Sequence, residues 1–300
     1  MPAEQHPVSA ALQGSRLRKQ LRVLRKRAGL TQEDVAQEME WSTSKVIRIE
    51  GGAVKVSIND LKALLDLYDV EDRQAVQDLI HMARATRRRP WWHVYQKAIT
   101  KPYADYIGHE DAASRIDTFE PILIPGLLQT REYAESVFEQ FSAARPNPYA
   151  QDLLEVRMKR QEILDRDPPP ALHCLLDESV IRRYAGETPL MARQLRVLAE
   201  LGRRESISIR IVPFTAGLHP GLQGAFTLFE LPGEQVDVLF LEDAIGVSEQ
   251  DYIDYITEGE DPLVIRYKQI FVELAELALS QEESAQLILD SISGTRLPVL

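Results

Sequence analysis

The stretch Thr31-Gln32-Glu33-Asp34-Val35-Ala36, followed by Trp41-Ser42-Thr43-Ser44-Lys45-Val46-Ile47-Arg48-Ile49-Glu50-Gly51, decides how this chain reads. Thr31 and Ser42 are residue types that cap helix N-termini, because a side-chain hydroxyl accepts a bond from an otherwise orphaned backbone N–H. Val35, Ala36 and Met39 supply a short apolar face after the first cap, and Val46 and Ile49 supply one after the second. Two short helices joined by a turn of three or four residues follow, with buried positions that fix their crossing angle. The second helix presents Thr43, Ser44, Lys45 and Arg48 outward. Small hydroxyls allow close backbone approach, and an arginine can bond guanine O6 and N7 together, which is the chemistry of a helix in a major groove. Gln32 begins the preceding helix, whose free N–H groups suit a phosphate.

Outward from this pair, Leu17, Leu21 and Leu24 recur at helical spacing from about Ser15, and Gly29 ends that helix. Its other faces are basic, Arg18 among them, and suit the phosphate backbone. Ser57 caps a fourth helix with Leu61, Leu64, Leu65 and Tyr68 facing inward, and a fifth spans 73–85. The expectation is a loose tail over 1–13, then an all-α, five-helix DNA-binding domain over 14–88. Arg87-Arg88-Arg89-Pro90 forms the exit, since proline disfavours helix at the residue before it. The arginine run either tracks a phosphate backbone or is a solvated charge cluster. Trp91, Trp92 and Tyr95 either seal a domain interface or stack on bases.

Charge supports a divided chain. The net charge of −11 would by itself argue against nucleic acid, but it is unevenly spread. Residues 1–90 hold 16 Lys and Arg against 12 Asp and Glu, whereas 91–300 hold 19 against 34. A basic head on an acidic body confines any phosphate-binding surface to the first domain. The single cysteine, Cys174, excludes an intrachain disulfide and a cysteine-rich zinc site. No apolar run approaches the ~20 residues of a membrane helix, and residues 1–30 lack the apolar core of a secretory leader. The expected compartment is the cytoplasm, with no membrane partner.

Residues 89–300 read as an α+β domain with a mixed, largely antiparallel sheet. Strands are predicted at 116–119, 172–176, 206–212, 225–231 and 236–241, the last two as a hairpin about Pro232-Gly233-Glu234-Gln235. Helices are predicted at 132–140, 152–165, 178–184, 190–201, 262–279 and 281–291. There is no Gly-x-Ser-x-Gly elbow, phosphate-binding loop or dinucleotide fingerprint, and no histidine pair at metal-binding spacing. Cys174 sits inside an apolar strand as a buried structural thiol. No catalytic residue, cofactor or metal is expected. His219, in a loop leaving a strand, is a candidate ligand or partner contact, with Glu178, Arg182 and Glu242 converging on the same cleft. The alternative is that these four are ordinary surface and capping polar residues.

Over residues 14–70 the chain resembles the repressor-type helix-turn-helix family of lambdoid phage repressors and Cro proteins, also called the XRE family. The resemblance implies that Thr43, Ser44 and Arg48 read bases, that Gln32 and Lys45 touch the DNA backbone, and that Arg25 and Glu50 bridge the first helix to the end of the recognition helix. Two positions depart from the family pattern. Glu40 stands where a turn glycine is usual, and a left-handed backbone there costs about 1 kcal/mol, which argues for a different turn. Ile47 stands at a usually polar position, and either meets a thymine methyl or marks a small roll of the helix. Residues 92–290 resemble the C-terminal domain of actinobacterial WhiJ-like regulators. The matching stretches are Pro125-Gly126-Leu127-Leu128-Gln129-Thr130, Asp177-Glu178-Ser179, Gln194-Leu195, Val212-Pro213-Phe214, Gly224-Ala225-Phe226 and Leu241-Glu242-Asp243. That resemblance implies a small partner protein encoded next door and an antitoxin-like pairing. The expectation is a sequence-specific transcriptional regulator and not an enzyme: a repressor that binds double-stranded DNA as a homodimer, its second domain sensing a small partner protein or a small-molecule effector. The alternative is an antitoxin-like interaction protein that sequesters its partner, with DNA binding as autoregulation.

Overall fold

A computed structural model describes residues 10–52, 54–86, 90–142, 148–183, 188–232, 237–242, 253–258 and 261–294. The chain forms two compact units, Met1–His93 and Val94–Leu300.

The first unit is all helical: α1 (Ala10–Arg27), α2 (Gln32–Glu38), α3 (Thr43–Glu50), α4 (Ile58–Leu67) and α5 (Arg73–Ala85). Helix α1 begins inside the segment expected to be a tail. Ala10 and Ala11 favour helix, and Gln13 is already buried. Thr31, Ser42, Ser57 and Asp72 cap α2 to α5, each accepting a backbone N–H with its side chain. Leu17, Leu21, Val35, Val46, Ile49, Leu61, Leu65 and Ile80 are buried together as one core. Three helices end alike, in a left-handed residue closed by backbone bonds from the next residue to a carbonyl five back: Leu30 to Arg25, Trp41 to Ala36, and Val70 to Leu65. The left-handed residue is Gly29 in the first, but Glu40 (φ 54°) and Asp69 (φ 56°) in the others. The expectation of a different turn at Glu40 is therefore overturned. The Trp41 N–H bond of 2.8 Å and the packing of Trp41 on the core hold the glycine-type geometry on a glutamate.

The second unit is α+β with a mixed sheet, as the sequence pattern predicts. Its elements are α6 (Lys101–Ala112), β1 (Arg115–Glu120), α7 (Arg131–Ser142), α8 (Ala150–Arg160), β2 (Ala171–Asp177), α9 (Glu178–Arg182), α10 (Thr188–Leu201), β3 (Ile207–Val212), β4 (Phe226–Glu230), β5 (Asp237–Glu242), β6 (Ile253–Glu258), α11 (Pro262–Leu277) and α12 (Gln281–Gly294). The strands order as β3-β2-β1-β4-β5-β6. β1, β2 and β3 run parallel, and the remaining pairings are antiparallel. Helix α11 packs on one face, over Phe119, Leu175, Val212, Phe226 and Leu239. On the opposite face Tyr106 of α6 meets Phe229 and Phe240 edge-on, with centroids 5.2 and 5.0 Å away. At the β3 edge, Ile211 donates its N–H to Ser284 Oγ of α12 (2.9 Å) and its carbonyl accepts from Leu279 N (2.9 Å). The predicted hairpin pairs as β4 and β5, and residues 233–236 lie outside the described residues, as do Arg87–Arg89.

Helix α6 and strand β6 were not anticipated. Pro102 and Gly108 weaken the helical signal of α6, and the short β6 lies in an acidic stretch with little alternation. Helix α6 nevertheless carries a buried ion pair. Arg160 bonds Glu110 through Nε and Nη2, both at 2.7 Å, and donates to Tyr103 Oη at 2.9 Å. The Pro125–Thr130 stretch quoted above is fixed by amides: Gln194, fully buried, donates to Leu128 O and accepts from Thr130 N, while Gln161 donates to Gly126 O and Gln129 O. Cys174 is buried in β2, and desolvation pushes its thiol well above the ordinary range, so it is no ready nucleophile.

Glu110→Gln leaves the Arg160 charge buried without its counter-ion and is expected to cost about 3–5 kcal/mol of stability in urea unfolding. Asp105→Asn, at the exposed Lys101–Asp105 pair, is expected to cost less than about 1 kcal/mol in the same assay. Equal losses would show that burial of the Glu110 pair has no energetic weight.

Candidate nucleic-acid interface

Helix α3 is held at its far end by its last residue. Glu50 is buried and accepts from Arg25 Nε (2.7 Å) and Nη2 (3.1 Å), so α1 grips α3 in a fork. Gln32 Nε2 adds a third bond to Glu50 Oε2 at 2.7 Å, bringing in α2. Arg25 Nη1 also reaches Leu30 O at 2.9 Å, at the entry to α2. One carboxylate thus ties three helices to a common point, and the start of α3 is set by its cap, Ser42 Oγ accepting from Lys45 N at 3.2 Å.

Between these two fixings the outer face of α3 carries Thr43 (half-buried), Ser44 and Arg48 (both exposed) and Ile47, half exposed at 50%. Arg48 Nε lies back along the helix on Ser44 O at 3.3 Å. An exposed isoleucine among hydroxyl and guanidinium groups points its branched end out of the fold, so the helix is not rolled to bury it. Lys45 is engaged within the unit, its ammonium 3.4 Å above the Trp41 ring and 3.3 Å from Asp60 Oδ2 of α4. Gln32 gives one of its two amide hydrogens to Glu50. Arg18 is half-buried, its guanidinium packed over Gly52, where an added Cβ would lie 2.9 Å from Arg18 Cζ. The structure therefore collects Thr43, Ser44, Ile47 and Arg48 on one outward face. It ties Lys45 and Gln32 beside that face and sets Arg18 near the loop after α3. Trp41 and Asp60, as holders of Lys45, were missed because their pairing depends on how α4 returns. Tyr68, buried near Glu50, was expected only as core. Burial, with the Glu50 charge, pushes its phenol up to about 12.

The candidate group in the second unit assembles differently from expectation. Glu178 Oε1 accepts from Arg182 Nε and Nη2 (3.1 and 3.0 Å), and its Oε2 accepts from Phe214 N (2.9 Å). His219 is not displayed on a loop. Its side chain is 2% exposed, with Nε2 3.6 Å from Asp177 Oδ2 and its ring edge-on to Phe119. The reason is the tight seat of the loop: a Cβ on Gly221 would lie 2.5 Å from Phe119. These contacts pin the loop after β3 to the end of β2 and the start of α9. Glu242 ends β5, and its side chain lies outside the described residues. Among the described residues no cluster of three or more His, Cys, Asp or Glu side chains could hold a metal ion, and no helix is long and apolar enough to cross a membrane.

A capped, clamped α3 with a polar outer face, following α2 across a tight turn, defines a DNA-binding regulator of the helix-turn-helix class. Comparison agrees: a helix-turn-helix domain profile matches residues 16–79, and the profile described as Domain of unknown function (DUF5753) matches residues 103–290. The second match spans more than half of the chain, and the protein belongs to that family. No curated protein and no solved structure matches it.

Glu50→Ala strips a buried guanidinium of its partner and is expected to destabilise the first unit by about 3–5 kcal/mol, read by thermal unfolding of the full chain. The Tyr68 phenol makes a separate, pH-dependent forecast. The unfolded chain releases this proton near pH 10 and the folded one near 12, so stability conferred on the neutral phenol is complete below pH 10 and is lost as pH climbs to 12. Tyr68→Phe should flatten that part of the stability–pH curve. An unchanged curve would remove Tyr68 as its source.

Proposed function

We propose that this protein is a sequence-specific transcriptional regulator, a repressor, whose α3 enters the major groove. Thr43, Ser44 and Arg48 read base edges, and Ile47 stands beside them. The carrying observation is the shared outward face of these residues on a helix fixed at both ends. Lys45, Gln32, Arg18 and the basic face of α1 contact the phosphate backbone, Lys45 by exchanging Asp60 for a phosphate. Two copies of the first unit occupy two half-sites, in keeping with the resemblance to phage repressors. The second unit senses a small-molecule effector.

One observation favours a second reading, an antitoxin-like pairing with a small protein. The loop after β3 exposes Phe214 (59%), Leu218 (95%) and Leu222 (53%), an apolar display more typical of a protein contact than of solvent-facing chain.

Selection from random duplexes supplies the operator for the test. Arg48→Ala should then lose about 1–3 kcal/mol of discrimination between operator and random DNA. Lys45→Ala should weaken both equally and lower the salt slope by about one. An unchanged operator-to-random ratio for Arg48→Ala would remove the base-reading role.

A further inference from the structure

The second unit contains a cleft of about 430 Å³, within the range of small-molecule sites. It lies on the α11 face of the sheet, at the N-terminal ends of the three parallel strands. Its apolar wall is Phe271, Val272 and Ala275 of α11 with Leu175 of β2, and its polar lining is Arg115, His173, Ser208, Arg210 and Glu276.

The polar groups are aligned by register. Asp117, His173 and Ser208 are lateral neighbours on β1, β2 and β3, so their side chains share one face. Asp117 Oδ1 lies 2.9 Å from His173 Nδ1 and also accepts from Arg115 Nε. In the neutral ring, a carboxylate on Nδ1 selects the tautomer with Nδ1 as donor and Nε2 as acceptor. Two residues along β3 from Ser208, Arg210 donates to the carbonyls of Ala275, Ala278 and Leu279, each at 2.8 Å, closing the C-terminal end of α11. Those bonds use Nε and Nη2 and leave the Nη1 donors over. Among the described residues no carboxylate lies within ion-pair distance of Arg210. The helix terminus offsets only about half a charge, so the arginine carries positive charge into the cleft.

From this arrangement we infer that the cleft binds a small carboxylate with an apolar body and a neighbouring hydroxyl or amide N–H. The carboxylate sits on Arg210 Nη1 and Ser208 Oγ, the N–H or hydroxyl donates to His173 Nε2, and the apolar body lies on Phe271, Val272 and Ala275. Glu276 lines the same cleft and disfavours a second negative charge. The inference deepens the reading of the second unit as a small-molecule sensor. Its test needs no DNA, so it stands or fails apart from base reading by α3.

The probes are N-acetylphenylalanine, its neutral primary amide, and the cationic phenylalaninamide, each titrated into the full chain and followed by calorimetry and by melting temperature. The acid is expected to bind and raise the melting temperature, and the other two are expected not to. Ser208→Ala should weaken binding about tenfold, the scale of one hydrogen bond to a charged group. Ala275→Trp, which fills the apolar wall and leaves every polar group in place, should abolish it. Both variants are scored only with an unchanged far-UV spectrum and a cooperative melt. Arg210→Gln is avoided because it opens the end of α11. Binding of the amide or of phenylalaninamide as tight as that of the acid, no binding of the acid at millimolar concentration, or undiminished binding to folded Ala275→Trp would each overturn the assignment.

Discussion

The carboxylate of Glu50 is the constraint on which the first unit depends. It is the last residue of the helix that faces outward, yet it is buried and bonded to α1 and α2 at once. A buried carboxylate left alone would be strongly unfavourable, and the bonds from Arg25 and Gln32 offset that cost. Short helices of seven and eight residues have little stability of their own. What fixes their mutual angle is apolar packing from Val35, Val46 and Ile49, plus this one polar junction, which packing alone would leave free to slide.

The two ends of α3 are controlled by different physics. Its start is local, a hydroxyl cap preceded by a left-handed Glu40 held through Trp41. Its end is non-local, joined across the unit. The same tryptophan that closes the turn also lies under the Lys45 ammonium. Turn geometry and the charge at the head of α3 therefore share one side chain. A glutamate in place of glycine is tolerated because tertiary bonds outweigh a backbone cost of about 1 kcal/mol.

Much of the first unit was legible because its determinants are local. Thr31, Ser42 and Ser57 announce helix starts, and the leucines of α1 and α4 announce the buried faces. The Arg25–Glu50 pair was legible through resemblance, whereas the Lys45–Asp60 pair was not, since it needs the return path of α4. In the second unit the predicted strands form, but α6 was hidden by Pro102 and Gly108. Its key residue, Glu110, looks like a surface acid until Arg160, fifty residues later in the chain, is brought to it. His219 shows the opposite failure. A histidine in a loop leaving a strand reads as a candidate ligand or partner contact, but the seat of Gly221 against Phe119 draws it inside. The row Asp117, His173 and Ser208 was invisible for the same reason as the role of Glu110: it exists only once two crossovers set the register of three strands.

The β3 border of the sheet has a consequence for how much of this chain can be dispensed with. There the N–H and carbonyl of Ile211 are satisfied by Ser284 and Leu279, which come from α12 and the segment just before it. Removing residues 279–294 would bare that donor and acceptor on an aliphatic edge strand, a template onto which another chain could add. The terminal helix thus serves as a cover that keeps the sheet from recruiting neighbours, and shortened versions of the protein should be chosen to retain it.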